Sequence, residues 1–422
     1  MNLTESIMAR SAGKKEVEAG EIINAGVDMA MSHDNAGLVS KKFKTIGVPK
    51  VWDREKIVIL LDHRVPSNSI KTAQGHKSVR EFVKEQNIPN FYDMKEGICH
   101  QVMPEKGHVY PGHLIVGTDS HTTSYGAFGA FSTGIGATEM SAVWATGHLW
   151  LKVPEVFMYT VSGKFPEHVY SKDLILKIIG DMTADGATYK GCEFYGDTID
   201  RLPVEDRIPI SNMSMEMGAK SAIIPFDAQT ESYYKTKGFD VSRARKLASA
   251  VDPLGDACYE KEFDYDISDL SPQVACPHAV DNVKPIEEVA GTQIHQALVG
   301  SCTNGRIADL EQAANILNGK TVHPDVRLLV IPASREVYLE AMEMGLIQTF
   351  LRAKGVVLNP GCGPCLGAHQ GIMAEGERCI ATTNRNFKGR MGSTESEVYL
   401  GSPETVAASA LAGEIVDPRE LK

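Results

Sequence analysis

The chain has 422 residues, 43% of them hydrophobic and 23% charged, with a net charge of −11. That size suits a multi-domain globular protein whose cores need no disulfide staples, and the acidic balance argues against general binding to nucleic acid or an anionic membrane. No apolar stretch approaches about eighteen residues, and the mixed, acidic N-terminus lacks a signal peptide's apolar core.

A cytoplasmic location is therefore expected. In that compartment the cysteines at 99, 192, 258, 276, 302, 362, 365 and 379 read as metal ligands or redox groups where they cluster, and as ordinary thiols elsewhere.

Short apolar runs alternate with amphipathic segments, the pattern of an α/β fold with largely parallel sheets. In chain order the runs are Ile57–Leu61, Leu114–Gly117, Ala297–Gly300, Arg327–Ile331, Gly355–Leu358 and Cys379–Thr382. Most lead straight into reactive residues: Asp62-His63, Asp119-Ser120-His121, Cys302-Thr303-Asn304, Cys362 and Cys365, and Asn384-Arg385-Asn386. Ligands of open α/β sheets bind beyond the carboxyl ends of strands, so these residues are expected to share one cleft. The glycines at 126, 129, 134 and 136 match neither G-x-G-x-x-G nor the Walker pattern; they predict close packing of a helix starting near Ala137, not a nucleotide site. Three α/β units are expected, at 1–154, 155–284 and 285–422. The acidic stretch 252–284 reads as a connection.

The run Gly361-Cys362-Gly363-Pro364-Cys365 admits three readings. C-G-P-C is the dithiol of thioredoxin-like enzymes, although Asn359-Pro360 precedes it here. A zinc site would want four N or S ligands, drawn from this pair, Cys302 and His369. An iron–sulfur cluster on Cys302, Cys362 and Cys365 would leave one iron without a thiolate, free to act as a Lewis acid. The other five cysteines read as ordinary thiols.

Five strings together resemble the aconitase superfamily, and within it the large subunits of 3-isopropylmalate dehydratase and homoaconitase. They are Gly117-Thr118-Asp119-Ser120-His121-Thr122, Asn212 to Ala219, Gly300-Ser301-Cys302-Thr303-Asn304, Pro360 to Cys365, and Asn384-Arg385-Asn386-Phe387-Lys388-Gly389-Arg390. They occur in the family order and span essentially the whole chain. The resemblance implies three α/β/α domains around one 4Fe–4S cluster held by Cys302, Cys362 and Cys365. A fourth, swivelling domain is expected on a separate small subunit, which supplies a serine base and further substrate contacts.

By the same resemblance His63 and His121 lie beside the leaving hydroxyl, oriented by carboxylates such as Asp119 and Glu216. Ser120, Asn212, Arg385 and Arg390 bind the substrate's carboxylates, and Asn304 and Asn384 sit near the cluster. His33-Asp34 resembles a first-domain site segment. The implied activity is dehydration and rehydration that isomerises 2-isopropylmalate to 3-isopropylmalate in leucine biosynthesis. Homoaconitase or another aconitase-type dehydratase is the alternative. An RNA-binding relative and a thioredoxin-like enzyme are the rivals outside that class. The first is disfavoured by the net charge and the full set of candidate catalytic residues.

Overall fold

The computed structural model describes residues 1–251, 257–367 and 369–421. After β1 (Ile22–Gly26), the strands β2 (Met29–Ser32), β3 (Ile57–Leu60), β4 (Asn90–Tyr92), β5 (Leu114–Gly117) and β6 (Phe131–Gly134) form a parallel sheet of order β4-β3-β2-β5-β6. Strand β3 is Ile-Val-Ile-Leu and β5 is Leu-Ile-Val-Gly, buried throughout. Continuous apolar strands of this kind belong to parallel sheets covered on both faces. The chain then returns as β7 (His148–Lys152), which pairs antiparallel with β1 outside this sheet.

A second sheet has the order β10-β9-β8-β11, from β8 (Val156–Ser162), β9 (Gly191–Tyr195), β10 (Ser221–Ile223) and β11 (Lys261–Asp266), all parallel. Strand β11 overturns the reading of 252–284 as a connection. Its charged residues alternate with Phe263 and Tyr265, which are partly buried, and Phe263 stacks on Tyr159 at 5.0 Å. The acidic composition hid a period-2 edge strand with one wet face. Residues 252–256 of that stretch lie outside the described residues.

The third sheet gathers β12 (Gln273–Ala275), β13 (Val283–Pro285), β14 (Gln296–Gly300), β15 (Arg327–Ile331), β16 (Val356–Val357), β17 (Arg378–Ala381) and β18 (Glu397–Leu400) in the order β13-β12-β18-β17-β14-β15-β16. Strands β14 to β18 pair in parallel, whereas β12 and β13 add antiparallel. Every apolar run expected from the sequence is one of these strands.

The glycines around 126–136 serve packing. A Cβ on Gly126 would lie 1.7 Å from the Ala222 carbonyl oxygen, and one on Gly134 2.7 Å from that of Asp119. The helix they precede runs Ala137–Thr146.

Candidate active site

Beyond β3 the chain turns sharply at Asp62-His63-Arg64, and one carboxylate builds that turn. Asp34 Oδ2 accepts the backbone N–H of Asp62 (2.9 Å) and His63 (2.8 Å), and Oδ1 accepts that of Arg64 (3.2 Å) and sits 2.8 Å from His76 Nε2. The opposing Asp62 carboxylate accepts the Cys99 N–H at 2.8 Å and lies 2.8 Å from His63 Nδ1. His33 stacks on His63 with ring centroids 4.2 Å apart.

Beyond β5, Asp119 caps a 3-10 turn by accepting the His121 N–H at 2.8 Å. The same carboxylate meets three imidazoles: His100 Nε2 at 2.9 Å, His63 Nε2 at 3.4 Å and His121 Nδ1 at 3.5 Å. His121 Nε2 reaches Glu216 Oε1 at 2.7 Å, and Arg385 Nε donates to both Glu216 oxygens at 2.8 and 3.0 Å. A relay of alternating acid and base thus runs Asp62, His63, Asp119, His121, Glu216, Arg385, with His100 as a branch.

Burial disfavours charge on this relay, and pairing overrides burial at most of its members. Desolvation would lower His63 and His121, yet their flanking carboxylates raise both, His63 well above its ordinary value. Desolvation would likewise raise Asp119 and Glu216, but the imidazoles, and Arg385 at Glu216, hold both down. At His100 burial wins and the pKa is lowered, as it is at His33.

The third sheet brings sulfur to the same place. Cys302 follows β14 through Gly300 and Ser301, the latter a non-glycine in the left-handed region at φ 72°. Such strain persists only where surroundings impose it; a Cβ on Gly300 would lie 2.1 Å from the Ile331 carbonyl oxygen. Cys362 and Cys365 sit on the turn after β16, where the Cys362 N–H donates to the Asp62 carbonyl at 3.1 Å. That bond joins the first and third sheets directly. All three thiols are buried, and the chain's cysteines are free.

N–H groups point at these sulfurs. Asn384 Nδ2 lies 3.3 Å and Asn212 Nδ2 3.6 Å from Cys302 Sγ, and Arg390 Nη2 lies 3.8 Å from Cys365 Sγ. Hydrogen bonding from Cys362, and beyond it the Arg390 charge, holds Cys365 well below the usual thiol range; the same pairing, then burial, pushes Cys362 up. Burial raises Cys302 against the pull of Asn212 and Thr303. A buried, unbridged set of three thiols met by N–H donors suits a thiolate-ligated iron–sulfur group. His369, the nitrogen that a zinc reading needs, has its Nε2 2.8 Å from the Pro66 carbonyl instead. Among the described residues, the His, Cys, Asp and Glu side chains whose ligand atoms all fall within 4.8 Å of one another are His33, Asp34, Asp62 and His63, a group without cysteine.

The residues expected from the sequence converge, with two qualifications of position. Asn304 turns its amide to Asp309 at 2.8 Å, in the manner of a local cap, while Asn212 and Asn384 face the sulfur. Ser120 lines a cavity of about 520 Å³ shared with Thr118, Glu139, Met215 and Lys220. Arg390 lies over the Phe387 ring at 5.3 Å. Sequence reasoning missed His100, on the helix Cys99–Glu105, because no spacing links it to a motif. It also missed that Asp34 acts on the backbone of the His63 turn.

Known proteins match the chain in sequence over its whole length. The sequence profile of the Aconitase family (aconitate hydratase) covers residues 5–292 and 287–413. The chain is 54% identical to the probable 3-isopropylmalate dehydratase large subunit of Methanothermobacter thermautotrophicus, over 100% of both chains. It is 52% identical to 3-isopropylmalate dehydratase large subunit 1 of Methanopyrus kandleri, over 99% of this chain and 98% of that one. Similarity to the probable methanogen homoaconitase large subunit of M. thermautotrophicus is 51%, over 100% and 98%. With full-length relatives at this identity and a cleft where carboxylate-paired histidines face three buried thiols, the chain belongs to the aconitase family.

Proposed function

We propose that the chain is the large, cluster-carrying subunit of a hydro-lyase that isomerises 2-isopropylmalate to 3-isopropylmalate, working in the cytoplasm with a small subunit. The observation that carries the reading is the meeting of the His63–Asp119–His121–Glu216 relay with Cys302, Cys362 and Cys365 in one cleft. The family implies a 4Fe–4S cluster, and the large-subunit names of the relatives imply a smaller partner chain. The division into units 1–154, 155–284 and 285–422 belongs to this reading.

Cys302, Cys362 and Cys365 would hold the cluster, which when bound supplies a Lewis acid at the iron that no thiolate occupies. Hydroxide leaves poorly, so the protein must also deliver a proton to the departing oxygen. His63 and His121, whose proton affinity Asp62, Asp119 and Glu216 raise against burial, are the groups able to give one. Arg385 and Arg390 would offer forked N–H donors to substrate carboxylates, and Ser120 and Asn212 would add further substrate contacts. Asn304 and Asn384 support the loops around the sulfurs. The base that removes the carbon-bound proton would come from the small subunit, whose docking completes the cleft.

The relatives named homoaconitase make a longer tricarboxylic acid the second reading. Anaerobic co-purification with the small subunit tests both. Iron and acid-labile sulfide are expected in the large chain, with turnover of 2-isopropylmalate exceeding that of homocitrate. A preparation lacking iron and sulfide defeats the cluster assignment, whereas preference for homocitrate moves the chain to the second reading.

A further inference from the structure

Three consecutive residues after β2 touch both of the loops that carry the relay. In the first sheet β2 lies between β3 and β5, so its carboxyl end emerges between the His63 turn and the Asp119 loop. Toward β3, the Asp34 carboxylate accepts the N–H groups of Asp62, His63 and Arg64, and the His33 ring stacks on that of His63. Toward β5, Thr118 Oγ1 donates to Asn35 Oδ1 at 2.6 Å, and the Asn35 amide donates to the Thr118 carbonyl at 3.4 Å. His33 Nε2 lies 3.2 Å from that same carbonyl. Thr118 is joined directly to Asp119.

Asp34 is itself held from behind. His76, 2% exposed on the helix Ile70–Gln86, places Nε2 2.8 Å from Asp34 Oδ1 and Nδ1 3.0 Å from Ser67 Oγ. Ser67 lies four residues after His63 on the same loop, so Asp34 and His76 together grip that loop at two points.

The relay is weakest where these loops meet. Asp62 to His63 and His121 to Glu216 are 2.8 and 2.7 Å, but the link between the loops, His63 Nε2 to Asp119, spans 3.4 Å. N–H···O bonds fall at about 2.7–3.2 Å, so a contact of that length holds little by itself. Its spacing is imposed by the backbone on either side, and residues 33–35 bond to both.

We propose that His33-Asp34-Asn35 is the spacer that sets His63 against Asp119, with Asp34 and Asn35 as positioning residues that act through the two loops. This rests on the hydro-lyase reading above, in which His63 and Asp119 handle the proton. Loosening the spacer moves a proton donor while leaving the arginines and thiols in place, and a displacement of about 1 Å can cost about 10²-fold in rate.

The experiment compares wild type, D34N and T118V, each cluster-loaded and assembled with the small subunit. It uses hydrogen-exchange mass spectrometry, iron and sulfide counts, and steady-state kinetics on 2-isopropylmalate and homocitrate. A carboxamide has one acceptor oxygen where the carboxylate has two. In D34N the amides of residues 62–64 should therefore exchange faster by about tenfold or more, the worth of one charge-assisted bond. Its kcat should fall by about 10- to 100-fold with KM within about twofold and iron unchanged. T118V should show the same split at smaller size. The proposal is overturned by a wild-type kcat in D34N, by unmoved exchange at 62–64, or by a kcat loss that only tracks lost iron. If D34N fails to fold, T118V decides: a lowered kcat at constant KM supports the spacer, and wild-type kinetics overturn it. A cluster-loaded wild type that turns over neither acid defeats the hydro-lyase reading and this inference with it; unaltered variants of an active wild type defeat this inference alone.

Discussion

The carboxyl ends of the five-stranded and seven-stranded sheets meet at one cleft but hold their chemistry differently. At the first sheet, charge is kept by mutual pairing: Asp62, His63, Asp119, His121 and Glu216 each lie against a group of opposite character. At the third, sulfur is met by amide and guanidinium N–H groups. A relay of paired acids and bases can move protons while the buried charge stays balanced. A set of buried thiols met by N–H donors suits a thiolate-held metal group instead. On the proposed reading, the same topological position yields a proton-handling wall on one side and a metal-holding wall on the other.

Breaking the sulfur wall should have the largest effect. Cys365→Ser removes one of the three proposed cluster thiols, and activity with the small subunit should fall below about one-thousandth of wild type, the scale of a lost Lewis acid. Iron and sulfide per chain should fall in parallel; full cluster content would dismiss Cys365 as a ligand. Breaking the proton wall should leave the cluster in place. His121→Ala is expected to lower kcat by about 10²- to 10⁴-fold with iron content unchanged. Steady-state kinetics at the wild-type rate would remove His121 from the chemistry.

Arg385 links the two walls, since it follows Asn384 and forks onto Glu216. Arg385→Lys should raise KM by about 10- to 100-fold, the value of a charge-assisted bond that lysine cannot fork. An unaltered KM in initial-rate assays would place Arg385 outside the substrate site.

The smallest effect concerns a histidine that burial keeps neutral. His113 forms no ion pair among the described residues and is lowered to about 4 by burial, against a weaker pull from Asp28. Between about 6.5 and 4 the unfolded chain binds this proton and the folded chain does not, so stability should decline as pH drops through that window. The loss attributable to His113 is at most about 3.5 kcal/mol, a pKa unit being worth about 1.4 kcal/mol. Urea midpoints of wild type and His113→Phe across that range should converge towards acid pH. Parallel curves would mean that His113 is not the titrating group.

The relay shows why only part of the site is legible in sequence. His63 and His121 directly follow acidic or polar residues at strand ends, and the cysteines sit in short glycine-framed strings, so local spacing marks them. His100 pairs with Asp119 across 19 positions and Lys172 with Thr382 across 210. Such partners carry no local pattern, because the helices bearing them look like ordinary amphipathic or apolar helices. Strand β11 was obscured for a related reason: an edge strand with one wet face keeps few apolar residues, and acidic ones crowd the alternation.

The sequence by itself determined the parallel α/β class, the apolar strands and the residue types of the relay, since each depends on neighbours a few positions away. Only the tertiary structure decided that Asp34 shapes the His63 turn, that Cys362 is tied to Asp62, and that His100 joins the relay at Asp119. Those facts are fixed by which carbonyls and carboxylates the packed sheets bring within hydrogen-bond reach, and the cost of leaving buried polar groups unpaired makes such long-range pairings specific.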